Sequence, residues 1–259
     1  MSSPTPKPLF SQPKDFACKV WRYLDLAKAI SLLQSEELFF CRADLFQDTH
    51  EGTITKPIAD AWARIASRAN APQLEEVMSL ARKCARKTVF INCWHLNESE
   101  SEAMWQLYCP NNQGVALQTT YAKLAKWSLT IPNSFIGMVS YLDYEMEKFP
   151  TDNFLKAFMH KRRSFAHENE VRIMISEHEE LRKHDAKSFE DLLRIEQQLS
   201  GQHTGKRARF SLEENVEVFW VNPYAPSWYF KVVKNLIATF KPPLVNRVRK
   251  SPLKDAPYF

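Results

Sequence analysis

Glycine scarcity constrains this chain more than any other feature: only five occur in 259 residues, at Gly52, Gly114, Gly137, Gly201 and Gly205. Backbone that cradles a pyrophosphate needs clustered glycines in a tight turn beside a helix N-terminus. Five scattered glycines cannot spell G-x-G-x-x-G or a Walker-type loop. Folds that hold phosphate on a glycine-rich loop are therefore excluded. A nucleotide, if bound, would have to be held by side chains.

Hydrophobic residues make up 44% of the chain and charged residues 25%, so a sizeable core can be buried. The length fits one large domain or two small ones. We expect a single domain over residues 17–259, preceded by a disordered Pro-rich tail over 1–16. No apolar run reaches the roughly 18 residues of a membrane span. Met1 to Lys14 lacks the apolar middle of a secretion signal. Five cysteines, without C-x-x-C spacing, read as reduced thiols, with Cys41 and Cys93 inside apolar runs. These features point to the cytoplasm. The formal charge of +5 tolerates an acidic partner without demanding nucleic acid, and no membrane partner is expected.

Along the chain, strands are expected at Cys18–Tyr23, Leu38–Arg42, Thr88–Trp94, Gly114–Gln118, Phe135–Tyr141, Glu170–Ile175, Val216–Val221 and Leu244–Val248. Asp25 can cap a first helix, and Pro57 and Pro72 can open two more. Ser99 and Glu102 have the spacing of a capping box. Asp152 can cap a helix running toward Phe165, and Pro226–Phe240 reads as another helix. The charged stretch 177–211 reads as a surface insertion with one helix. Irregularly mixed strands and helices predict an α+β fold with a mixed sheet flanked by helices rather than a regular βαβ barrel.

Four constellations stand out. Glu168, Glu170 and Arg172 share one face of an expected strand whose other face carries Val171, Ile173 and Ile175. Such a group can hold a hydroxyl or stabilise positive charge, or form a solvated, ion-paired outer face. Arg22, between Trp21 and Tyr23 on the first strand, needs a carboxylate or an anionic ligand if buried. The loop after the second strand offers Asp48 and Glu51 as its partner. Asp44, Asp48 and Glu51 are also the acids a divalent cation would use, although helix capping is the blander reading; no zinc or iron spacing occurs. Trp105 and Tyr108 share a helix face, to stack on a flat ligand or to pack in the core. Basic clusters at Lys161–Arg163, Lys206–Arg209 and Arg247–Lys250 read as solvated faces or a nucleic-acid groove.

Taken in order, Trp21-Arg22-Tyr23, Leu38-Phe39-Phe40, Phe46-x-Asp48-x-x-Glu51, Trp105-x-x-Tyr108, Gly114-Val115 and Glu168-x-Glu170-x-Arg172 resemble a bacterial and phage family. It is the domain-of-unknown-function family numbered twenty-nine seventy-one. Where members of that family often read Asn-Asp-Pro, this chain reads Gln47-Asp48-Thr49. The family carries no established activity. A more distant resemblance is to the ADP-ribosyltransferase layout, in which NAD lies in the cleft of a split sheet. That resemblance implies a split sheet, and NAD as co-substrate with Arg22, Tyr23, Trp105 and Tyr108 around it. It makes Glu170 the catalytic carboxylate, with Glu168 orienting an acceptor. The strand Ile91-Asn92-Cys93-Trp94 departs from the family's Ser-Thr-Ser pattern. Three function classes are therefore compatible with the chain. They are an ADP-ribosyltransferase-like or NAD glycohydrolase-like enzyme, a nucleic-acid-linked defence or toxin module, and a non-catalytic small-ligand sensor.

Overall fold

A computed structural model describes residues 8–71, 73–178, 188–201 and 203–254. The fold is α+β, with a mixed sheet of nine strands and a second sheet of two among the described residues. The chain divides into two compact units, each assembled from three segments. The first unit takes its residues from within 1–13, 39–92 and 131–206; the second takes 14–38, 93–130 and 207–259.

The second unit is organised by β1 (Lys19–Asp25) and β4 (Gly114–Thr120), paired antiparallel with Arg22 opposite Leu117. Beyond β4 lie β10 (Val218–Val221), antiparallel to it, and then β11 (Val248–Lys250), parallel to β10. Helix α1 (Leu26–Ser35) starts at Asp25, whose carboxylate accepts from the Lys28 backbone N–H, as expected of a cap. Helix α4 (Glu102–Tyr108) is capped by Ser101 rather than Ser99, because the Ser101 hydroxyl reaches the Met104 N–H.

In the first unit, β8 (Glu170–Ser176) pairs with β3 (Val89–Leu96) and, antiparallel, with β5 (Ser134–Met138). Every residue of β8 is buried. Strand β2 (Glu37–Arg42) lies along the start of β3, with Cys41 opposite Ile91. Helices α2 (Lys56–Arg68) and α3 (Leu74–Lys87) follow the loop after β2. Glu75 and Glu76 in the first turn of α3, and Arg86 and Lys87 in its last, suit the helix dipole.

Several expectations are corrected. Of the tail expected to be disordered over 1–16, residues 1–7 lie outside the described residues, and residues 10–12 are packed and hydrogen-bonded. Phe10 is buried, the Met138 N–H donates to the Ser11 carbonyl, and the Gln12 amide donates to Ile136 O. The single strand expected over Phe135–Tyr141 is two, β5 and β6 (Ser140–Leu142). The helix expected from Asp152 to Phe165 is two 3-10 segments around a three-residue strand, β7 (His160–Arg162). Strand β7 pairs with β6, and the Tyr144 hydroxyl donates to the His160 carbonyl, so tertiary bonds override local helix preference. The stretch 177–211 holds its helix, α6 (Phe189–Ser200), but also a strand, β9 (Gly205–Arg209), that joins the main sheet. Residues 179–187 lie outside the described residues. The last strand begins at Val248, after a 3-10 segment over Pro242–Arg247. All five cysteines are free thiols; Cys18, Cys84 and Cys109 are the buried ones, while Cys41 and Cys93 are half-buried. Among the described residues no helix is long and apolar enough to cross a membrane.

Candidate functional site

The charged residues singled out on β8 lie inside the first unit and not on a solvated face. Arg172 has no exposed side-chain surface. Its Nε and Nη2 donate to the two Glu170 carboxylate oxygens at 2.9 and 3.1 Å. Its Nη1 and Nη2 donate to the two Glu51 oxygens, each at 2.7 Å. A fifth bond runs from Nη1 to the Phe158 carbonyl at 2.6 Å. A planar guanidinium with five donors is the one side chain that can serve two carboxylates bidentately from the centre of a sheet.

Lys161, on β7, adds the second cation. Its ammonium lies 2.5 Å from Glu168, 3.6 Å from Glu51 and 3.7 Å from Glu170. Burial works against the Lys161 charge, but Glu170 and Glu168 hold its pKa above the ordinary lysine value. Glu168 is not on the strand. It ends a 3-10 turn, and Asn169, with φ 37°, swings the chain into β8. Lys161 draws it back into the cluster. Burial, and then repulsion from Glu170, raises the Glu168 pKa above the usual carboxylate range. The Tyr141 hydroxyl accepts the Glu170 backbone N–H at 2.8 Å. Three carboxylates against two cations leave the cluster one charge negative when all are ionised.

Asp48 belongs to a neighbouring pair. Its carboxylate meets Arg162 at 2.7 Å and accepts the His50 backbone N–H at 3.1 Å. Asp44 is bound instead by Arg42. Glu51 and Asp48, the carboxylates expected to pair with Arg22, are engaged by Arg172 and Lys161 and by Arg162 respectively. Arg22, in the second unit, donates to the Cys93 carbonyl. Tyr23 and Trp105 are also in the second unit, in T-shaped contact at 4.9 Å, within a core cluster that includes Trp21 and Met104. Trp105 is fully buried and its indole N–H donates to Glu100. Tyr108, on the same helix, is exposed.

What the sequence did not single out is a cavity of about 110 Å³ in the first unit, next to this cluster. Gly52, adjacent to Glu51, and Phe158, whose carbonyl binds Arg172, both line it. Phe149, Phe154 and Trp62 add aromatic surface. A second space of about 190 Å³ shares Ile54, Trp62 and Arg82 with it. Gly52 has φ +68°, and a Cβ there would stand 2.2 Å from the Phe158 ring. Only glycine allows this close approach. Arg82 lies over Trp62, its guanidinium carbon 5.0 Å from the ring centroid. Its Nη1 is buried without a hydrogen-bond partner, and burial pulls its pKa below the usual arginine value. A guanidinium on a helix among aromatic residues is easily read as a solvated face. The missed signal is Trp62 and Arg82 on consecutive helices, which no spacing rule connects.

No known family model matches the chain, and no curated protein or solved structure is significantly similar to it.

Proposed function

We propose that this protein is a small-molecule-binding module whose ligand occupies the aromatic cavity of the first unit. The observation that carries this reading is the wall itself. Gly52 and Phe158 are held by the Arg172 cluster, so one side of an otherwise apolar cavity is fixed before any ligand arrives. A preformed, mostly apolar cavity with a few placed polar groups is the usual form of a small-ligand site. Among its described lining residues there is no carboxylate, histidine, cysteine or lysine, which favours binding over catalysis.

The NAD-using reading asks more of the same residues. It needs Glu170 aimed at a ribose, whereas Glu170 is 5% exposed and already engaged by both sides of the Arg172 fork. A carboxylate so compensated offers little further stabilisation to a developing cation. The cavity is also far too small for a dinucleotide: its 110 Å³ lies below even the roughly 150 Å³ void that holds benzene, so one ring reaching toward the adjoining space is the most it admits.

The test is a ligand-observed NMR screen of one-ring compounds against the full chain and against Ala85→Leu, which fills the cavity from α3. Compounds that bind the wild type and lose binding in the filled variant support the proposal. A screen in which every binder is indifferent to Ala85→Leu overturns it.

A further inference from the structure

The lining of the cavity also selects a ligand chemistry, an inference that rests on the reading of the cavity as a ligand site. Arg82 is the informative residue. It borders both spaces, and no ion pair compensates it among the described residues. Arg82 is half-buried, but its Nη1 is shut off from solvent without an acceptor, and a buried donor left unpaired costs free energy unless a ligand supplies the acceptor. The Trp62 face restrains it through a cation–π contact but provides no acceptor for its N–H groups.

We infer that the cavity takes a planar aromatic monoanion: a one-ring carboxylate whose ring packs against the cavity's aromatic wall and whose carboxylate accepts from Arg82. Three features narrow the class. The 110 Å³ space shares Trp62 and Arg82 with the adjoining space of about 190 Å³, so together they limit the ligand to about one ring with a small substituent, and the wall is aromatic on several sides. The charge is single, because Arg82 is the sole cation among the described lining residues, and the wider space carries the carboxylate of Glu75. A phosphate dianion would meet one positive charge and one negative one. The polar group is a planar acceptor, because the guanidinium fork matches a carboxylate in two parallel hydrogen bonds. Asn153 stands on the same wall. Its Oδ1 is taken by the Leu155 N–H, which leaves its amide hydrogens as the additional donor.

Isothermal titration of the full chain with benzoate, benzyl alcohol and acetate tests this, using wild type, Arg82→Met, Arg82→Lys and Ala85→Leu. Benzoate should bind the wild type. Its affinity should fall about ten-fold or more in Arg82→Met, as loss of a hydrogen bond to a charged group implies. Arg82→Lys should recover part of that loss, and Ala85→Leu should abolish binding. Benzyl alcohol should bind Arg82→Met and wild type alike. If benzyl alcohol binds the wild type as tightly as benzoate does, and Arg82→Met changes neither, the anion inference is overturned while the ligand site stands. If neither ring compound binds, or binding ignores Ala85→Leu, both are overturned. Acetate binding as tightly as benzoate, with the same dependence on Arg82, would overturn the ring requirement.

Discussion

Arg172 and Glu51 form a two-bond fork, each nitrogen 2.7 Å from its own carboxylate oxygen, across 121 positions of sequence. The fork ties the loop after β2 to the central strand β8, and Glu170 completes it from Arg172's own strand. A buried ion pair is weak evidence for net stability, because desolvation offsets most of the attraction. Breaking one is another matter, since the survivors are left charged and dry. Arg172→Met should therefore destabilise the protein by about 3–5 kcal/mol in denaturant titration. Arg172→Lys should be little better, because a point charge cannot make both forks. Wild-type stability in Arg172→Lys would mean that the geometry is dispensable.

Glu168 and Asp48 should give opposite responses to pH. Asp48 is lowered below its ordinary value of 3.8: burial opposes this, but the His50 N–H and Arg162 outweigh it. Its contribution is present above that value and is lost as pH falls through the lower, folded-state pKa. Glu168 is raised above 4.5 by burial and by Glu170, so its charge carries a cost in the folded state above that raised pKa. The cost disappears as the pH falls to 4.5 and below. Glu168→Gln keeps an oxygen for Lys161 and removes the surplus negative charge. It should raise the melting temperature relative to wild type at neutral pH, with the gain shrinking as pH approaches 4.5. A gain independent of pH would remove the titration of Glu168 from the explanation.

Glu170→Gln separates the binding reading from the NAD-using one. In the present geometry it puts an amide donor in place of one of the two oxygens that accept from Arg172, which breaks the bidentate fork, so it should lower the melting temperature. Release of labelled nicotinamide from NAD should be at background in both wild type and variant. Turnover by wild type, lost in a Glu170→Gln protein that melts normally, would instead favour the transferase-like reading.

Gly52 should not accept a side chain. A Cβ there meets the Phe158 ring at 2.2 Å, on backbone with φ +68°. Overpacking costs roughly 1–3 kcal/mol, and a Cβ in left-handed backbone about 1–2 more. Gly52→Ala should therefore cost about 2–5 kcal/mol in denaturant titration. Phe158→Leu should recover part of it, because the two positions share one contact.

The sequence made the sheet strands and the helix caps legible where one local rule was enough. Alternation placed Ile173 in the core, and Asp25 capped α1 as its residue type suggests. It also placed Glu170 and Arg172 together, since neighbours two apart on a strand share a face. It did not reveal that this face is buried. Burial of Arg172 depends on Glu51 and Lys161 arriving from distant segments, and periodicity carries no information about such partners. The helix expected over 152–165 failed for the same reason, because strand pairing with β6 and the ion cluster decide the shape of His160–Arg162. Arg22 looked like the natural partner of Glu51 only while Arg172 seemed to face solvent.

Arg82 should separate stability from binding more cleanly than any other residue. Its buried Nη1 has no acceptor, and such an orphaned donor costs about 1–3 kcal/mol. The cation–π contact with Trp62 returns about 0.5–1 kcal/mol of that. Replacing Arg82 by Leu removes both, keeps an apolar stem against Trp62 and leaves no carboxylate stranded among the described residues. Arg82→Leu should therefore leave the folding free energy unchanged or raise it by about 1 kcal/mol, read as a higher denaturation midpoint at constant slope. A structural arginine would behave in the opposite way: its loss would lower the midpoint by several times that amount. A residue whose removal strengthens the fold is held there for something other than the fold, and benzoate titration of the same variant should show what was given up.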